Sequence, residues 1–381
     1  MKKKLLVIHP ALAPYRVDFF NSLDAAFDAS FYFEFGNPLE QDFDQQKLQS
    51  RITFCPHFLK PGFGGIKNLR LDVWGILRRE KPDIVCISEY NILGLLVVLY
   101  KIVTNSHFRI ITICDDNVLM ASSAGFIKRL TRGVLLRFLH SVVLTNEETV
   151  RWYKQRWGEL CRWICFPIIQ SEDIFRSMLQ EALPLSVSYR EKYRLVGKKV
   201  IFYVGRLTEV KNISLLLRVY REVIKVEKNT LLLLVGDGPL WDVLHVETRQ
   251  LGIDDSVVFA GKQEGLDLMA HYNLGDLFVL PSSYEPFGAV VNEALLAGCY
   301  VLCSNNAGAA CLIRDKVNGE LFDIENEKGL LDKLLVWLSS VSVGTKERES
   351  RCNQMLISYK EQFAFLEKEL KDSLVHTKNM Q

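Results

Sequence analysis

The sequence predicts an α/β protein built from two Rossmann-like, doubly wound domains. Its 381 residues exceed the usual size of a single domain. Short apolar runs alternate with amphipathic stretches along the whole chain, and this alternation starts afresh near residue 199. Runs of Val, Ile and Leu are typical of buried parallel strands, and strands that alternate with helices form parallel sheets. We therefore expect two parallel sheets in series.

The first half of the chain supplies the elements of the first sheet. Its predicted strands cover residues 5–9, 29–33, 83–88, 109–114 and 141–145. Predicted helices lie between them, at residues 15–26, 65–79, 91–104 and 125–140. Pro184 interrupts a polar stretch that follows this half, so we assign residues 1–180 to an N-terminal domain.

The second half repeats the pattern. Its predicted strands, each followed by a helical segment, cover residues 199–204, 230–235, 256–259, 276–280 and 300–304. We assign residues 181–350 to this C-terminal domain. A charged amphipathic stretch at about 346–375 predicts a last helix, and residues 351–381 are treated as a separate C-terminal segment. Ligands bind such sheets at the carboxyl ends of the strands, so functional residues are expected directly after each strand.

Composition excludes several classes of protein. Hydrophobic residues make up 49% and charged residues 24% of the chain, and the net charge is only +2. These values indicate a globular protein without a nucleic-acid partner. The longest apolar stretch, residues 92–100, is too short to span a membrane, and the run after Lys4 is too short for a signal peptide. Nine cysteines without a CxxC pair indicate a reducing, cytoplasmic location.

The strongest motif follows the strand predicted at residues 276–280. Glu285 and Glu293 flank a Pro-Phe-Gly turn that opens a helix. The amides of Phe287, Gly288 and Ala289, together with the helix dipole, form an anion site suited to a phosphate. Carboxylates beside it can accept hydrogen bonds from sugar hydroxyls. The alternative is an acidic loop followed by a Glu that only complements the helix dipole.

Two further loops of the same domain carry phosphate-binding features. Arg206 and Lys211 lie five residues apart after the strand 199–204, a suitable pair for a diphosphate. Gly236 and Gly238 follow the strand 230–235, where a tight turn alone could explain them. The pair of cations is an ordinary surface feature unless it faces the Glu285 loop. The chain has neither a GxxxxGK[ST] motif nor a complete GxGxxG motif, so a P-loop ATPase is not supported.

These blocks, with Phe259-Ala260-Gly261 between them, resemble the retaining GT-B glycosyltransferases of family 4, the glycosyltransferase group 1 enzymes. The likeness covers about residues 200–320, and all blocks occur in the family's order. The segment from Pro10 to Arg16 is similar to the P-x-x-x-P-Y-R start of one bacterial subset. The resemblance implies a GT-B fold, with two domains facing across a cleft and a C-terminal helix that returns to the N-terminal domain.

The resemblance also implies roles for the donor-site residues. Arg206 and Lys211 would hold the diphosphate of the donor and stabilise the charge that develops on it. Glu293 would bind the ribose, and Glu285 would contact the transferred sugar. The other residues implied in the donor site are Gly236, Gly238, Gly261, Lys262, Phe287, Gly288 and Ala289.

The sequence departs from the family at two places. Residues 307–311 read Ala-Gly-Ala-Ala-Cys where the family often has Gly-Gly-x-x-Glu, which leaves the identity of the donor open. Many relatives have a histidine in the N-terminal domain opposite the donor, and this chain has Asp115 and Asp116 in that loop. We expect Asp116 to position the acceptor hydroxyl or to take its proton. The alternative is that these aspartates cap the following helix.

Asp115 and three other residues, Tyr15, Arg16 and Glu89, are expected to bind the acceptor. Tyr15 and Arg16 lie in the loop after the first strand, and Glu89 follows the third strand, so both positions belong to the same edge of the sheet as Asp115. In the helical stretch 126–138, basic residues are mixed with apolar ones, which favours either a packed helix with a solvated basic face or contact with an anionic membrane surface.

The expected function is therefore transfer of a hexose, with retention, from a UDP- or GDP-linked sugar to a glycan or a lipid-linked acceptor, in the synthesis of bacterial lipopolysaccharide, O-antigen or capsule. No Asp-x-Asp motif lies where a donor could use it, so we expect no metal and no other cofactor. A peripheral contact with the inner membrane is compatible with this function. The alternatives are a catalytically silent nucleotide-sugar-binding subunit, or an epimerase or phosphorylase of the same fold. His9-Pro10 after the first strand disfavours an NAD(P)-dependent oxidoreductase.

Overall fold

The computed structural model describes residues 2–37, 43–341 and 351–372. The chain divides into two compact units, one formed by Met1–Gln170 with Tyr359–Gln381 and the other by Ser171–Ser358. The sequence analysis places the domain borders at 180/181 and 350/351 instead. Residues 342–350, which precede the second of these borders, and the ends of the helix expected at 346–375 lie outside the described residues.

The first unit contains a parallel sheet of seven described strands in the order β3-β2-β1-β4-β5-β6-β7. The strands are β1 (Lys4–His9), β2 (Asp28–Phe33), β3 (Pro56–Phe58), β4 (Ile84–Ser88), β5 (Arg109–Cys114), β6 (Ser141–Leu144) and β7 (Arg162–Cys165). Its helices are α1 (Val17–Ala26), α2 (Gln45–Gln49), α3 (Val73–Glu80), α4 (Ile92–Val103), α5 (Val118–Ser122), α6 (Phe126–Leu135) and α7 (Glu147–Trp157).

The second unit contains a parallel sheet of six described strands in the order β10-β9-β8-β11-β12-β13. The strands are β8 (Lys199–Val204), β9 (Thr230–Val235), β10 (Val257–Gly261), β11 (Leu277–Leu280), β12 (Tyr300–Ser304) and β13 (Gly319–Phe322). The remaining helices are α8 (Glu172–Glu181), α9 (Leu183–Lys192), α10 (Ile213–Val226), α11 (Trp241–Leu251), α12 (Gly265–Leu274), α13 (Ala289–Leu296), α14 (Glu327–Ser340) and α15 (Tyr359–Asp372).

The last described helix, α15, packs on the first unit. The Tyr359 hydroxyl donates to the carbonyl oxygen of Asp18 in α1 at 2.8 Å. Arg162 at the start of β7 forms an ion pair with Glu369 at 3.1 Å. The rings of Tyr359 and Phe363 lie against Phe166, which follows β7. The chain therefore returns to its N-terminal sheet after completing the second unit.

Both sheets have the topology of doubly wound folds, because the strand order reverses beside the first strand of each unit. The predicted fold class is confirmed. In both sheets the central strands are buried, which explains their continuous apolar sequences. Among the helices that the structure describes, none combines the length and the apolar character that a membrane-spanning segment needs.

Candidate active site

Three loops of the second unit are joined at the carboxyl ends of β8, β11 and β12. The amide of Ser283, after β11, donates to the carbonyl oxygen of Val210, after β8, at 2.9 Å. The side-chain amide of Asn306, after β12, donates to the carbonyl oxygen of Ser283 at 3.1 Å. The amide of Gly308 donates to the carbonyl oxygen of Glu285 at 3.2 Å. These three hydrogen bonds hold the loops together as one platform.

An ion pair between Lys211 and Glu285 lies on this platform. The Lys211 ammonium donates to Oε2 of Glu285, and the Ser282 hydroxyl lies 3.4 Å from the same oxygen. The two charged side chains are only 15% and 11% exposed. The predicted diphosphate-binding cation and the predicted sugar-binding carboxylate are therefore in direct contact, although 74 positions separate them in the chain.

Gly288 brings the start of α13 against Glu285. Its φ of 95° lies in the left-handed region, and a Cβ atom at this position would come within 3.1 Å of Cγ of Glu285. The neighbouring Phe287 is buried and fixes the turn. α13 begins at Ala289, and the first amides of a helix have no acceptor within the helix. The predicted anion site and the ion pair are thus adjacent.

Glu293, in the second turn of α13, is fixed by a residue that the sequence analysis missed. The Tyr272 hydroxyl, on α12, donates to Oε2 of Glu293 at 2.6 Å. Tyr272 is fully buried, and its ring packs edge-on against Phe202 and Phe175. Burial, and then the Glu293 carboxylate, raise the pKa of this phenol well above its usual value. Tyr272 therefore stays protonated and orients Glu293.

The loops that carry Arg206 and Gly236 touch each other along their main chains. A Cβ atom on Gly236, whose φ is 144°, would lie 1.8 Å from the carbonyl oxygen of Gly205. The amide of Gly236 donates to the carbonyl oxygen of Gly261 at 2.9 Å. On the other side, the buried Tyr203 hydroxyl donates to the carbonyl oxygen of Arg206 at 2.9 Å. Close packing of loops therefore already requires glycine at position 236.

Two other predicted donor-site residues lie at the margins of this region. Gly238 approaches the main chain of Leu207, like Gly236 in the preceding turn. Lys262, after β10, is half exposed and forms an ion pair with Glu264 at 2.9 Å. The structure thus brings Lys211, Glu285 and the start of α13 together, whereas the Lys262 side chain has its own acidic partner.

In the first unit, Asp116 is completely buried and surrounded by donors. Its Oδ1 atom accepts from Lys128 at 2.7 Å, and its Oδ2 atom accepts from Arg132 at 2.9 Å and from the Tyr153 hydroxyl at 3.2 Å. Arg132 and Tyr153 are buried as well. This geometry disagrees with the expectation that Asp116 contacts the acceptor, because its carboxylate is inaccessible and its oxygens are occupied.

Asp115 is the accessible carboxylate of this loop. Its side chain is 35% exposed and forms an ion pair with Arg16, which is 2% exposed. Arg16 is thus too buried to contact an acceptor, and it holds Asp115 instead. The preceding residue, Tyr15, is half-buried in the short 3-10 turn before α1. At the end of β1, burial and the charge of Arg16 lower the pKa of His9 to about 4.

Glu89 links the ends of β4 and β5. Its φ of 60° is left-handed, and its Oε1 atom accepts from the amide of Asp115 at 3.0 Å. Lys128 lies 3.2 Å from Oε2. Burial raises the pKa of Glu89, as do the charges of Asp116 and Asp115, while Lys128 opposes the shift. Glu89 therefore shapes the loop of Asp115 and lies beside it, as the sequence predicts.

Glu89, Cys114 and Asp116 are a group of potential metal ligands within the described residues. The Lys128 ammonium contacts both carboxylates of this group. Burial, and then Glu89 and Asp116, raise the pKa of the Cys114 thiol, which keeps it protonated and makes it a poor ligand. A lysine thus holds the position that a cation would take, and these residues do not fit a metal site.

The helical stretch 126–138 exposes mainly apolar side chains, whereas the sequence favours an exposed basic face. α6 uses Lys128 and Arg132, which are one turn apart, to neutralise Asp116. Of the four basic residues in the stretch 126–138, only Arg129 in α6 and Arg137 after it are exposed. The exposed surface of α6 is mainly apolar, with Phe126, Ile127 and Leu130 at 73%, 76% and 58% exposure. Lys128 and Arg132 are four residues apart on the helix, and this spacing allows both side chains to contact one buried carboxylate.

Residues 188–354 match the glycosyl transferases group 1 family. An uncharacterized glycosyltransferase of Methanocaldococcus jannaschii is 34% identical over 168 residues, which is 42% of this chain and 43% of that protein. The lipopolysaccharide core biosynthesis glycosyltransferase LpsD of Rhizobium meliloti is 34% identical over 131 residues, which is 34% of this chain and 36% of that protein. The chain thus matches less than half the length of these curated relatives.

The whole chain also has the fold of solved structures. The crystal structure of Anabaena HepE in complex with UDP has a TM-score of 0.73 and 18% identity, and covers 97% of this chain and 99% of its own. At this identity the likeness establishes the fold. The matched residues contain all three loops of the platform and the Tyr272–Glu293 pair. The residues that match the glycosyl transferases group 1 family therefore make up most of the second unit and include the candidate site.

Proposed function

We propose that this protein transfers a hexose, with retention, from a nucleoside diphosphate sugar to a hydroxyl group. The observation that carries the proposal is the contact between Lys211 and Glu285 beside the start of α13. A cation, a carboxylate and the amides of a helix N-terminus are combined there within a few ångströms. A pyrophosphate linked to a sugar requires this combination of groups.

The donor would be bound by redistributing an existing charge pair. Lys211 forms an ion pair with Glu285, so the ammonium is held in place by the carboxylate. A pyrophosphate at the start of α13 offers Lys211 a second anionic partner, and Arg206 supplies the other cation. The carboxylate oxygens of Glu285 then accept hydrogen bonds from the hydroxyls of the donor sugar. Arg206, Lys211 and the helix amides replace a metal ion in compensating the diphosphate charge.

Glu293 would hold the nucleoside. Its Oε2 atom accepts from Tyr272, which fixes the orientation in which the carboxylate would accept hydrogen bonds from the ribose hydroxyls. Carboxylates bind ribose in the same manner in dinucleotide sites. UDP and GDP both carry these hydroxyls. The contact therefore supports binding of a nucleotide but does not distinguish between uracil and guanine.

In the reaction, the bond between the anomeric carbon and the distal phosphate oxygen breaks, and the acceptor oxygen bonds to the same carbon on the same face. The electron pair of the broken bond goes to the diphosphate, where Arg206 and Lys211 stabilise it. The acceptor proton goes to the departing phosphate oxygen or to solvent. Asp115, the accessible carboxylate, would position the acceptor hydroxyl in place of Asp116.

The acceptor class is inferred from the relatives. LpsD is named for lipopolysaccharide core biosynthesis, and a match to the α-monoglucosyldiacylglycerol synthase of Streptococcus pneumoniae adds a lipid-linked acceptor. We infer a glycan or lipid-linked acceptor of the bacterial cell surface. The exposed Phe126, Ile127 and Leu130 on α6, with Arg129 beside them, suit shallow contact with an anionic membrane carrying such an acceptor.

A donor-hydrolysis screen tests the proposal directly. The protein is incubated with UDP- and GDP-linked hexoses, and release of the nucleoside diphosphate is measured. We expect slow release from one donor, and loss of that release in Glu285→Gln. Release from no donor, together with binding of UDP or GDP, would instead favour a catalytically silent binding subunit. Absence of both binding and release would overturn the proposal.

A further inference from the structure

A cavity of about 340 Å³ lies in the first unit, lined by Lys101, His107, Arg109, Ile110, Phe138, Leu139 and His140. Arg109 is the first residue of β5, and His140 directly precedes β6. The cavity therefore lies at the amino ends of these strands. Asp115 and Glu89 follow the carboxyl ends of β5 and β4, so the whole length of β5, roughly 20 Å, separates the cavity from them.

The lining of this cavity is strongly basic. Lysine, arginine and two histidines contribute four of the seven described residues that line it, and none of the seven is acidic. Burial, and then the charge of Arg109, lower the pKa of Lys101. Burial, and then the charge of Arg162, lower the pKa of Arg109. The charges of the half-buried Lys101 and the buried Arg109 thus lie close enough to repel each other, which an anion would relieve.

The cationic groups are held in place by the main chain around them. The Lys101 ammonium donates to the carbonyl oxygen of Phe108 at 2.6 Å. The turn between them is closed by the amide of Ser106, which donates to the carbonyl oxygen of Lys101 at 3.0 Å. The main chain of Arg109 is fixed in β5 by its amide, which donates to the carbonyl oxygen of Asp83 at 2.9 Å. The Lys101 ammonium and the main chain of Arg109 are therefore fixed at the cavity, which limits the reordering that binding requires.

We propose that this cavity binds the phosphate group of a small phosphate ester. A phosphate dianion can accept hydrogen bonds from Lys101, Arg109 and the two histidines together. Ile110, Phe138 and Leu139 provide an apolar wall for the organic part of the ligand, and the volume is that of a small-molecule site. The site belongs to the first unit alone, and it stands whether or not the second unit transfers a sugar.

Calorimetric titration with glycerol 3-phosphate at low ionic strength tests this inference. We expect saturable binding to the wild-type protein that weakens as salt is added. Lys101→Gln should weaken it roughly tenfold, since it removes one charge-assisted hydrogen bond. His107→Asn, at an exposed position, should weaken it by a smaller factor. Lys67→Gln, which removes an exposed lysine elsewhere on the same unit, is the matched control.

Two further arms identify the site and the source of the ester. Binding that persists in Arg206→Ala is not binding to the proposed donor site. Vesicles that contain phosphatidic acid present the same phosphate on a lipid, and retention by these vesicles alone, lost in Lys101→Gln but kept in Phe126→Ser, would assign the cavity to a phospholipid headgroup. The inference is overturned if neither probe binds, or if Lys101→Gln and Lys67→Gln bind as the wild type does.

Discussion

The ammonium group of Lys211 and the carboxylate of Glu285 form an ion pair that is largely shielded from solvent. Each residue is one of the charged groups that a sugar diphosphate would need, so in the absence of donor each neutralises the other. Breaking a buried pair by removing one partner is costly, because it leaves an uncompensated charge. The ion pair therefore keeps both charged groups oriented, and a donor must offer Lys211 a competing anion.

The hydrogen bond from Tyr272 to Glu293 predicts a positioning role for the phenol. Tyr272→Phe should weaken UDP or GDP binding several-fold and lower the free energy of unfolding by about 1–2 kcal/mol, because a buried carboxylate oxygen loses its donor. Tyr220→Phe is the matched control, since Tyr220 is also buried in the second unit but its hydroxyl donates to main-chain carbonyl oxygens. Equal nucleotide affinity in the two variants would show that Tyr272 has only a structural role.

The two adjacent aspartates of the first unit should respond differently to amidation. Asp116→Asn should lower the free energy of unfolding by about 3 kcal/mol, because it leaves the buried Arg132 and the half-buried Lys128 without their carboxylate. Asp115→Asn should cost less stability and reduce transfer to acceptor more than donor hydrolysis. Urea denaturation measures the first effect. A fully stable Asp116→Asn protein with impaired transfer would restore Asp116 as the acceptor-side residue.

Stability should decrease below neutral pH because of His9. The pKa of His9 is lowered from 6.5 to about 4 in the folded protein, so between these values the unfolded chain binds the proton and the native state does not. This contribution is fully present above pH 6.5 and is lost as the pH falls toward 4. At pH 5 the loss amounts to roughly 2 kcal/mol relative to neutral pH. Urea midpoints at pH 7.5 and pH 5 should differ more in the wild type than in His9→Asn.

The variant His57→Asn, at an exposed position on β3, is the control for this pH dependence and should behave as the wild type. His271, on α12, also has a lowered pKa because of burial and contributes in the same direction, so the His9→Asn protein retains a weaker slope. Identical slopes in wild type and His9→Asn would contradict the assignment of this effect to His9.

The apolar surface of α6 predicts contact with anionic lipid. Phe126→Ser with Ile127→Ser should abolish co-sedimentation with vesicles that contain phosphatidylglycerol, because two exposed apolar side chains are lost without touching the buried charges. Val196→Ser, at a position that is 74% exposed in the second unit, is the control. Substituting Lys128 and Arg132 is not a suitable test, since both neutralise Asp116. Unchanged co-sedimentation of the double variant would show that the apolar surface of α6 does not contact the membrane.

Most of the fold was predictable because buried parallel strands are continuous apolar runs. The predicted strands that correspond to β1, β5, β8 and β9 agree with the structure to within a residue. The edge strands β3 and β13 were not predicted, since they have three and four residues and no such run. The predicted helix at 65–79 forms only as α3, after Asp72. Short strands that form only by pairing with a neighbouring strand therefore cannot be predicted from the local sequence pattern.

The candidate site was predictable where its residues follow strands. Lys211 and Glu285 were both selected on this ground, although their direct contact was not. Tyr272 could not be selected, because it lies within a helix whose side chains are mostly buried and its hydroxyl finds Glu293 only in the folded protein. The burial of Asp116 depends on Arg132 and Tyr153, which come from two other helices. Long-range polar pairs of this kind leave no periodic signal.

Calorimetric titration of UDP and GDP into the wild-type protein, Lys211→Gln and Lys225→Gln tests the central claim most directly. Lys225 forms an exposed ion pair with Glu222, so its substitution removes the same charge from the surface of the same unit. We expect one nucleotide to bind to the wild type and to Lys225→Gln. Lys211→Gln should bind it roughly 10- to 100-fold more weakly, which corresponds to one or two charge-assisted hydrogen bonds. Equal affinity in all three proteins would contradict the account.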